Sequence, residues 1–121
     1  MKTCLIVDDS SVVRKLASKL LEEIGFSCTE ADNGQAALDC CKQAMPDVML
    51  LDWNMPVMDG IECIKILREF PGGKDIKVIF CTTHNNQDHV REALEAGADE
   101  YIMKPFDRDV LKNKFRQVGI L

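Results

Sequence analysis

Three runs of strand length are apolar at every position: Cys4 to Val7, Val48 to Leu51 and Val78 to Cys81. A strand with one wet face alternates, whereas an unbroken apolar block needs burial on both faces, as in the middle of a parallel sheet covered by helices. Two weaker runs, SCTEA from Ser27 and EYIM from Glu100, mix polar and apolar residues and predict outer strands. Between them the spacing changes to three and four. Val13, Leu16, Ala17, Leu20, Leu21 and Ile24 mark one buried helix face, and Gly25 ends that helix as a left-handed cap. The pattern returns at Ala37, Cys40, Cys41 and Ala44, at Cys63, Ile66, Leu67 and Phe70, and at Val90, Ala93 and Leu94 before Gly97. A last helix is led by Leu111, Phe115 and Val118. Strand and helix alternating five times predict an α/β fold, a doubly wound five-stranded parallel sheet with helices on both faces.

The chain of 121 residues has the size of one domain. FPGGKD, Phe70 to Asp75, reads as a flexible connection too short to divide it, so a single domain over 1–121 with no output domain is expected. A net charge of −5 with no basic stripe argues against nucleic-acid capture. The opening MKTCLIVDD meets acids too soon for a secretory signal or a bilayer span, so a soluble, cytoplasmic chain without membrane contact is expected. Of the six cysteines, Cys4 and Cys81 lie inside apolar runs and Cys40, Cys41 and Cys63 at helical core spacing, with no C-x-x-C pair. That predicts small buried thiols in a reducing compartment rather than disulfides or a zinc site.

In such a sheet the carboxyl ends of the strands meet at one edge, where ligands bind. The first strand delivers Asp8 and Asp9 there, the third Asp52, the fourth Thr82 and Thr83, the fifth Lys104 and Pro105. Three carboxylates in one cleft repel each other, and an all-oxygen set suits a hard divalent cation such as magnesium. Magnesium keeps several waters and often takes a phosphate oxygen, so the same site has room for a phosphoryl group. Lys104 either balances the acids or holds a phosphoryl oxygen, the plainer alternative being a solvated turn lysine. Asp9, Ser10 and Ser11 could instead cap the first helix. Asp52 has no comparable cap role, since Asp59 is better placed for a helix starting near Gly60.

VDDS, LLDWNMPVMDG, FCTT and YIMKPF, in that order and spacing, resemble the receiver domain of bacterial two-component response regulators, most of all its stand-alone, chemotaxis-type members. The likeness runs the whole chain. It implies the strand order 2-1-3-4-5. It also implies that Asp52 takes a phosphoryl group from a phosphohistidine on a histidine kinase or phosphotransfer protein. The implied metal ligands are Asp9, Asp52 and the backbone carbonyl of Asn54, with Asp8 acting through water, for Mg2+ or alternatively Mn2+. Thr82 matches the hydroxyl that turns towards the phosphoryl group, Lys104 the cation that contacts it, and Tyr101 the aromatic whose swing reshapes the face of the fourth helix and fifth strand. The implied output is changed affinity for a protein target such as the flagellar switch or another kinase. A monomer that turns over no separate small-molecule substrate is expected, not an enzyme in the ordinary sense. Thr83 departs from the alanine, glycine or serine usual after the threonine, and His84 falls where the family varies. Trp53 reads as a packing residue, with shielding of the site as the alternative.

Two rival classes fit less well. A phosphatase of the haloacid dehalogenase type also forms an aspartyl phosphate, but on a D-x-D motif after the first strand and with a cap domain, where this chain has adjacent acids. A nucleotide or flavin carrier needs glycines after that strand so that backbone amides reach the phosphate, and VDDSSVVRK has none.

Overall fold

The computed structural model describes residues 2–53, 55–82 and 87–121. Five strands and five helices alternate along it: β1 (Thr3–Val7), α1 (Ser11–Ile24), β2 (Ser27–Ala31), α2 (Gly34–Gln43), β3 (Val48–Asp52), α3 (Gly60–Leu67), β4 (Lys77–Thr82), α4 (Gln87–Ala96), β5 (Glu100–Met103) and α5 (Arg108–Gln117). The sheet is parallel throughout, in the order β2-β1-β3-β4-β5. The three solid apolar runs are its inner strands and the two mixed runs its edges, as the patterning predicts.

Each inner strand is apolar throughout because it supplies two cores. Leu5, Val7, Met49, Leu51, Val78 and Phe80 point to the side of α2, α3 and α4. Their neighbours Cys4, Ile6, Val48, Leu50, Ile79 and Cys81 point to the side of α1 and α5, where Phe26 meets Phe115 edge-on. The side-chain period of two therefore sorts one unbroken run into two separate interiors.

Helix starts are set by side chains that accept orphan amides. Ser10 takes the amide of Val13, Asn33 that of Ala36, Asp59 that of Glu62 and Asp107 that of Val110. Each such cap contributes about 1 kcal/mol. Ser10, not Asp9, caps α1, which leaves Asp9 available for other work, and Asp59 caps α3 as expected. Gly25 (φ 106°) closes α1 in the left-handed region.

Some expectations of burial fail at the flanks of helices. Leu16 is 53 % and Leu94 43 % exposed. Leu16 instead borders a groove of about 420 Å3 with Val13, Ala17, Pro105 and Phe106. Val118, at the C-cap of α5, is partly buried and packs against the same core as Leu111 and Phe115. All six cysteines are free, Cys4, Cys41, Cys63 and Cys81 buried and Cys28 and Cys40 partly so. Burial pushes the Cys41 thiol up to about 11 and Cys63 to about 12, out of the range of a reactive thiolate.

The 70–75 connection is not loose. The Arg68 guanidinium donates to the carbonyls of Gly73, Ile76 and Gly97 and to the Asp99 carboxylate, while Gly73 donates to Phe70 and Asp75 to Gly72. A Cβ on Gly73 would lie 1.9 Å from the Leu67 carbonyl oxygen, so only glycine lets the turn fold back so tightly. Arg68 thus ties the end of α3, the start of β4 and the α4–β5 turn together at the sheet edge opposite the strand carboxyl ends.

One residue breaks a local rule. Val57 has φ 71° and is 81 % exposed. A β-branched side chain in the left-handed region costs roughly 1–2 kcal/mol, and here no burial offsets it. We expect Val57→Asn, which tolerates that conformation, to stabilise the protein by about 1 kcal/mol and raise Tm by a few degrees in thermal denaturation. An unchanged or lower Tm would show that the conformation carries no strain.

Candidate functional site

The chain leaves β1 towards one side of the sheet and β3 towards the other, so the loops that follow them diverge and open a crevice at the carboxyl edge. Asp52 is the last residue of β3 and is only 5 % exposed. Asp8 and Asp9 follow β1, the first buried and the second exposed. Thr82 ends β4 and is buried. One oxygen from each of the three carboxylates lies within 4.8 Å of the others.

Lys104 joins this group from the far side. Its ammonium lies 2.6 Å from Asp8 Oδ2 and 3.1 Å from Asp52 Oδ1. The amide of Lys104 donates to the Thr82 carbonyl at 2.7 Å, which extends the β4–β5 pairing by one residue and brings the side chain over the crevice. The Lys104–Pro105 peptide bond is cis. Burial alone would lower the Lys104 pKa, but the hydrogen bond it donates to Asp8 and the charges of Asp52 and Asp8 outweigh it, and the ammonium is held above its ordinary value. It is a fixed cation, not a solvated turn lysine.

Asp52 responds differently. Burial raises its pKa, Lys104 pulls it back, and the charges of Asp8 and Asp9 raise it again, leaving it at about 6. A single ammonium shared between two acids does not fully compensate Asp52. Counted over Asp8, Asp9, Asp52 and Lys104, the crevice retains two negative charges, the complement of one divalent cation. Magnesium–oxygen distances of about 2.1 Å put ligand oxygens at most about 4.2 Å apart, so a cluster within 4.8 Å needs only a small contraction to hold that ion. Among the described residues the cluster offers carboxylate oxygens as ligands, a donor set that fits a hard cation rather than zinc.

Asp8 is tied down on every side. Its Oδ1 accepts from the Ser10 amide at 2.9 Å, its Oδ2 from Lys104, and its own amide donates to the Ala31 carbonyl. Its carbonyl accepts from Arg14 Nη1 at 2.7 Å, and Arg14 is held in turn by Glu30 at 3.0 Å. The Arg14 clamp escapes pattern reading, because an arginine on the polar side of α1 looks like a solvated charge. The loop after β3 is equally constrained. The Gly60 amide donates to the Trp53 carbonyl, and a Cβ on Gly60 would lie 2.6 Å from the Asp52 carbonyl oxygen. Glycine at that position is what allows α3 to start directly beneath the acid.

Trp53 packs against the core on the α2–α4 side, as expected of a packing residue, and its ring stacks on His89 of α4 with centroids 4.0 Å apart. Tyr101 is half-buried on the edge strand β5 and lies beneath the Lys114 ammonium, 4.4 Å from the ring centre. Asn54, Thr83 and His84 lie outside the described residues.

The chain matches the response regulator receiver domain over residues 4–116 and belongs to that family, the receivers of two-component signalling. Among its relatives is the chemotaxis protein CheY of Pseudomonas aeruginosa, 38 % identical over 94 % of this chain and 93 % of that protein. The chemotaxis protein CheY of Halobacterium salinarum is 40 % identical over 88 % of each chain. Among solved structures, the chemotaxis response regulator CheY4 of Vibrio cholerae superposes with a TM-score of 0.92 at 32 % identity, over 98 % of both chains. The receiver domain of the sensor histidine kinase PA1611 of Pseudomonas aeruginosa, solved with a magnesium ion coordinated in its active-site cleft, matches with a TM-score of 0.89 at 27 % identity, again over 98 % of both chains. Among the described residues no helix is long and apolar enough to cross a membrane.

The raised pKa of Asp52 has a stability consequence with a definite sign. A carboxyl group whose folded pKa lies above its unfolded value near 3.9 favours the fold below that value and loses the contribution as pH rises through about 6. In metal-free buffer we expect Asp52→Asn to stabilise the protein at pH 7 by about 1–2 kcal/mol. The gain should shrink towards pH 4 when denaturation midpoints are compared across pH. A gain independent of pH would mean that the effect is not electrostatic.

Proposed function

We propose that this chain is a phosphorylation-controlled switch in which Asp52 is the phosphoacceptor and a divalent ion, magnesium or alternatively manganese, binds beside it. The observation that carries this reading is the meeting of Asp8, Asp9, Asp52 and Lys104 in one crevice with a charge deficit of two. Asp9 and Asp52 are the direct carboxylate ligands, joined by the Asn54 carbonyl. Asp8, both of whose oxygens already accept hydrogen bonds, acts through water. The ion, when bound, supplies positive charge to the oxygens of the transferring phosphoryl group.

The donor is a phosphohistidine on a histidine kinase or phosphotransfer protein. A carboxylate oxygen of Asp52 attacks phosphorus, the P–N bond breaks as the P–O bond forms, and the departing imidazole takes a proton from solvent. In-line attack needs an ionised acid, and a pKa of about 6 leaves Asp52 mostly ionised at neutral pH. Lys104 is already oriented into the crevice and needs only to exchange a carboxylate oxygen for a phosphoryl oxygen. Water attack on phosphorus later releases inorganic phosphate and restores the carboxylate.

The added charge and acceptor oxygens draw Thr82 and Lys104 towards the acceptor and alter the face that carries Tyr101. The protein thereby changes its affinity for a partner rather than turning over a separate substrate. The relatives covered over nearly their whole length are chemotaxis proteins, which supports a chemotaxis pathway, with a flagellar switch or a kinase as the target. A monomer acting in the cytoplasm fits this reading.

Incubation with Mg2+ and acetyl phosphate should add one phosphoryl group to Asp52 by intact and peptide mass spectrometry. Asp52→Asn should abolish the gain, and Lys104→Ala should lower its rate by about tenfold or more. Turnover of phosphomonoesters that survives Asp52→Asn but not Asp8→Ala would instead assign the chain to the dehalogenase-type phosphatases.

A further inference from the structure

Trp53 sits at a junction of four elements. It follows Asp52 directly, its amide donates to the Cys81 carbonyl of β4 at 3.2 Å, and its carbonyl accepts from Gly60 at the start of α3 at 2.9 Å. Its backbone is therefore fixed to β4 and α3, and its ring is free to serve the remaining neighbour. That neighbour is α4, through the stack on His89 at 4.0 Å and an interplanar angle of 29°. Such a pair contributes beyond the area it buries, more so here because both rings are partly shielded from water.

The stack matters because the described residues of α4 bury little else of its size. Of its residues from Asp88 onward, only the small side chain of Ala93 is fully buried, Val90 and Ala96 are partly so, and Leu94 is 43 % exposed. By contrast α3 buries Cys63, Ile64 and Leu67, and α5 buries Leu111 and Phe115. At its carboxyl end α4 is secured through Gly97, whose carbonyl accepts from Arg68. Near its beginning α4 carries the Trp53–His89 stack. We propose that His89 is a coupling residue: through its stack on Trp53 it ties the start of α4 to the residue after the acceptor, so that the state of Asp52 and the position of α4 are energetically linked.

This inference rests on Asp52 being the phosphoacceptor and adds a path to α4 that runs through the aromatic pair rather than through Thr82 and Tyr101. An energetic link is reciprocal, so loss of the stack is felt both at α4 and at the crevice. Trp53 is the sole tryptophan, which gives the pair its own optical signal.

The test compares wild type, His89→Ala and His89→Phe as full chains, each with Mg2+ alone and with Mg2+ plus beryllofluoride, by amide hydrogen exchange over α4 and by Trp53 fluorescence. Acetyl phosphate labelling is measured in parallel. In wild type, beryllofluoride should change α4 exchange rates. In His89→Ala that change should shrink and the half-saturating beryllofluoride concentration shift, each by about two- to tenfold, the span of an aromatic stack. His89→Phe, which keeps a flat ring, should restore both, whereas a merely structural role would leave the beryllofluoride dependence unmoved. Labelling of Asp52 with an α4 response identical in all three proteins would overturn the coupling and leave the acceptor assignment standing. No labelling of wild-type Asp52 would overturn the acceptor assignment and the coupling with it.

Discussion

The Lys104 ammonium between Asp8 and Asp52 is the contact on which the arrangement of this protein depends. Without it, two buried carboxylates from adjacent strands would face each other across a low-dielectric gap, and one would have to take up a proton to stay there. The bridge holds the carboxyl ends of β1, β3 and β5 in one cluster although β5 lies at the sheet edge, two strands away from β3. It is also incomplete by design of the charges: one cation among three acids keeps the crevice attractive to a divalent ion and keeps Asp52 ionisable near neutrality. A stronger neutralisation would stabilise the fold and weaken the site.

Around that bridge the structure places its rigidity unevenly. Asp8 is held through both oxygens, its amide and its carbonyl, and the backbone around Asp52 is pressed against Gly60 with no room for a methyl group. Asp9, by contrast, faces solvent and has no capping duty, since Ser10 performs it. A fixed acid next to an exposed one makes a cluster that could hold an ion, because the exposed carboxylate can close on it at little cost to the fold.

Much of this was legible in the residue pattern. Unbroken apolar runs distinguished inner from outer strands because burial on two faces leaves no position for a polar side chain. The acids, the threonine and the lysine could be assigned to one edge because strand polarity is uniform in a parallel sheet. What stayed hidden depended on three-dimensional neighbours. Leu16 and Leu94 obey helical spacing yet are left partly uncovered by the neighbouring elements. Gly73 reads as part of a flexible connection, but with Arg68 it forms a rigid corner, since the guanidinium donates to the Gly73 and Ile76 carbonyls together. The pairing of Trp53 with His89 spans 36 positions, and nothing in either residue's local context announces it.

The corner built by Arg68 also shapes how the molecule can deform. Because the guanidinium grips the Gly97 carbonyl, the trailing end of α4 is bolted to the amino edge of the sheet. Any displacement of that helix is then a swing about its far end, not a slide. Over ten residues, roughly 15 Å of helix, the helix acts as a lever, so a rotation too slight to disturb the Gly97 pivot carries the leading turn through the largest arc.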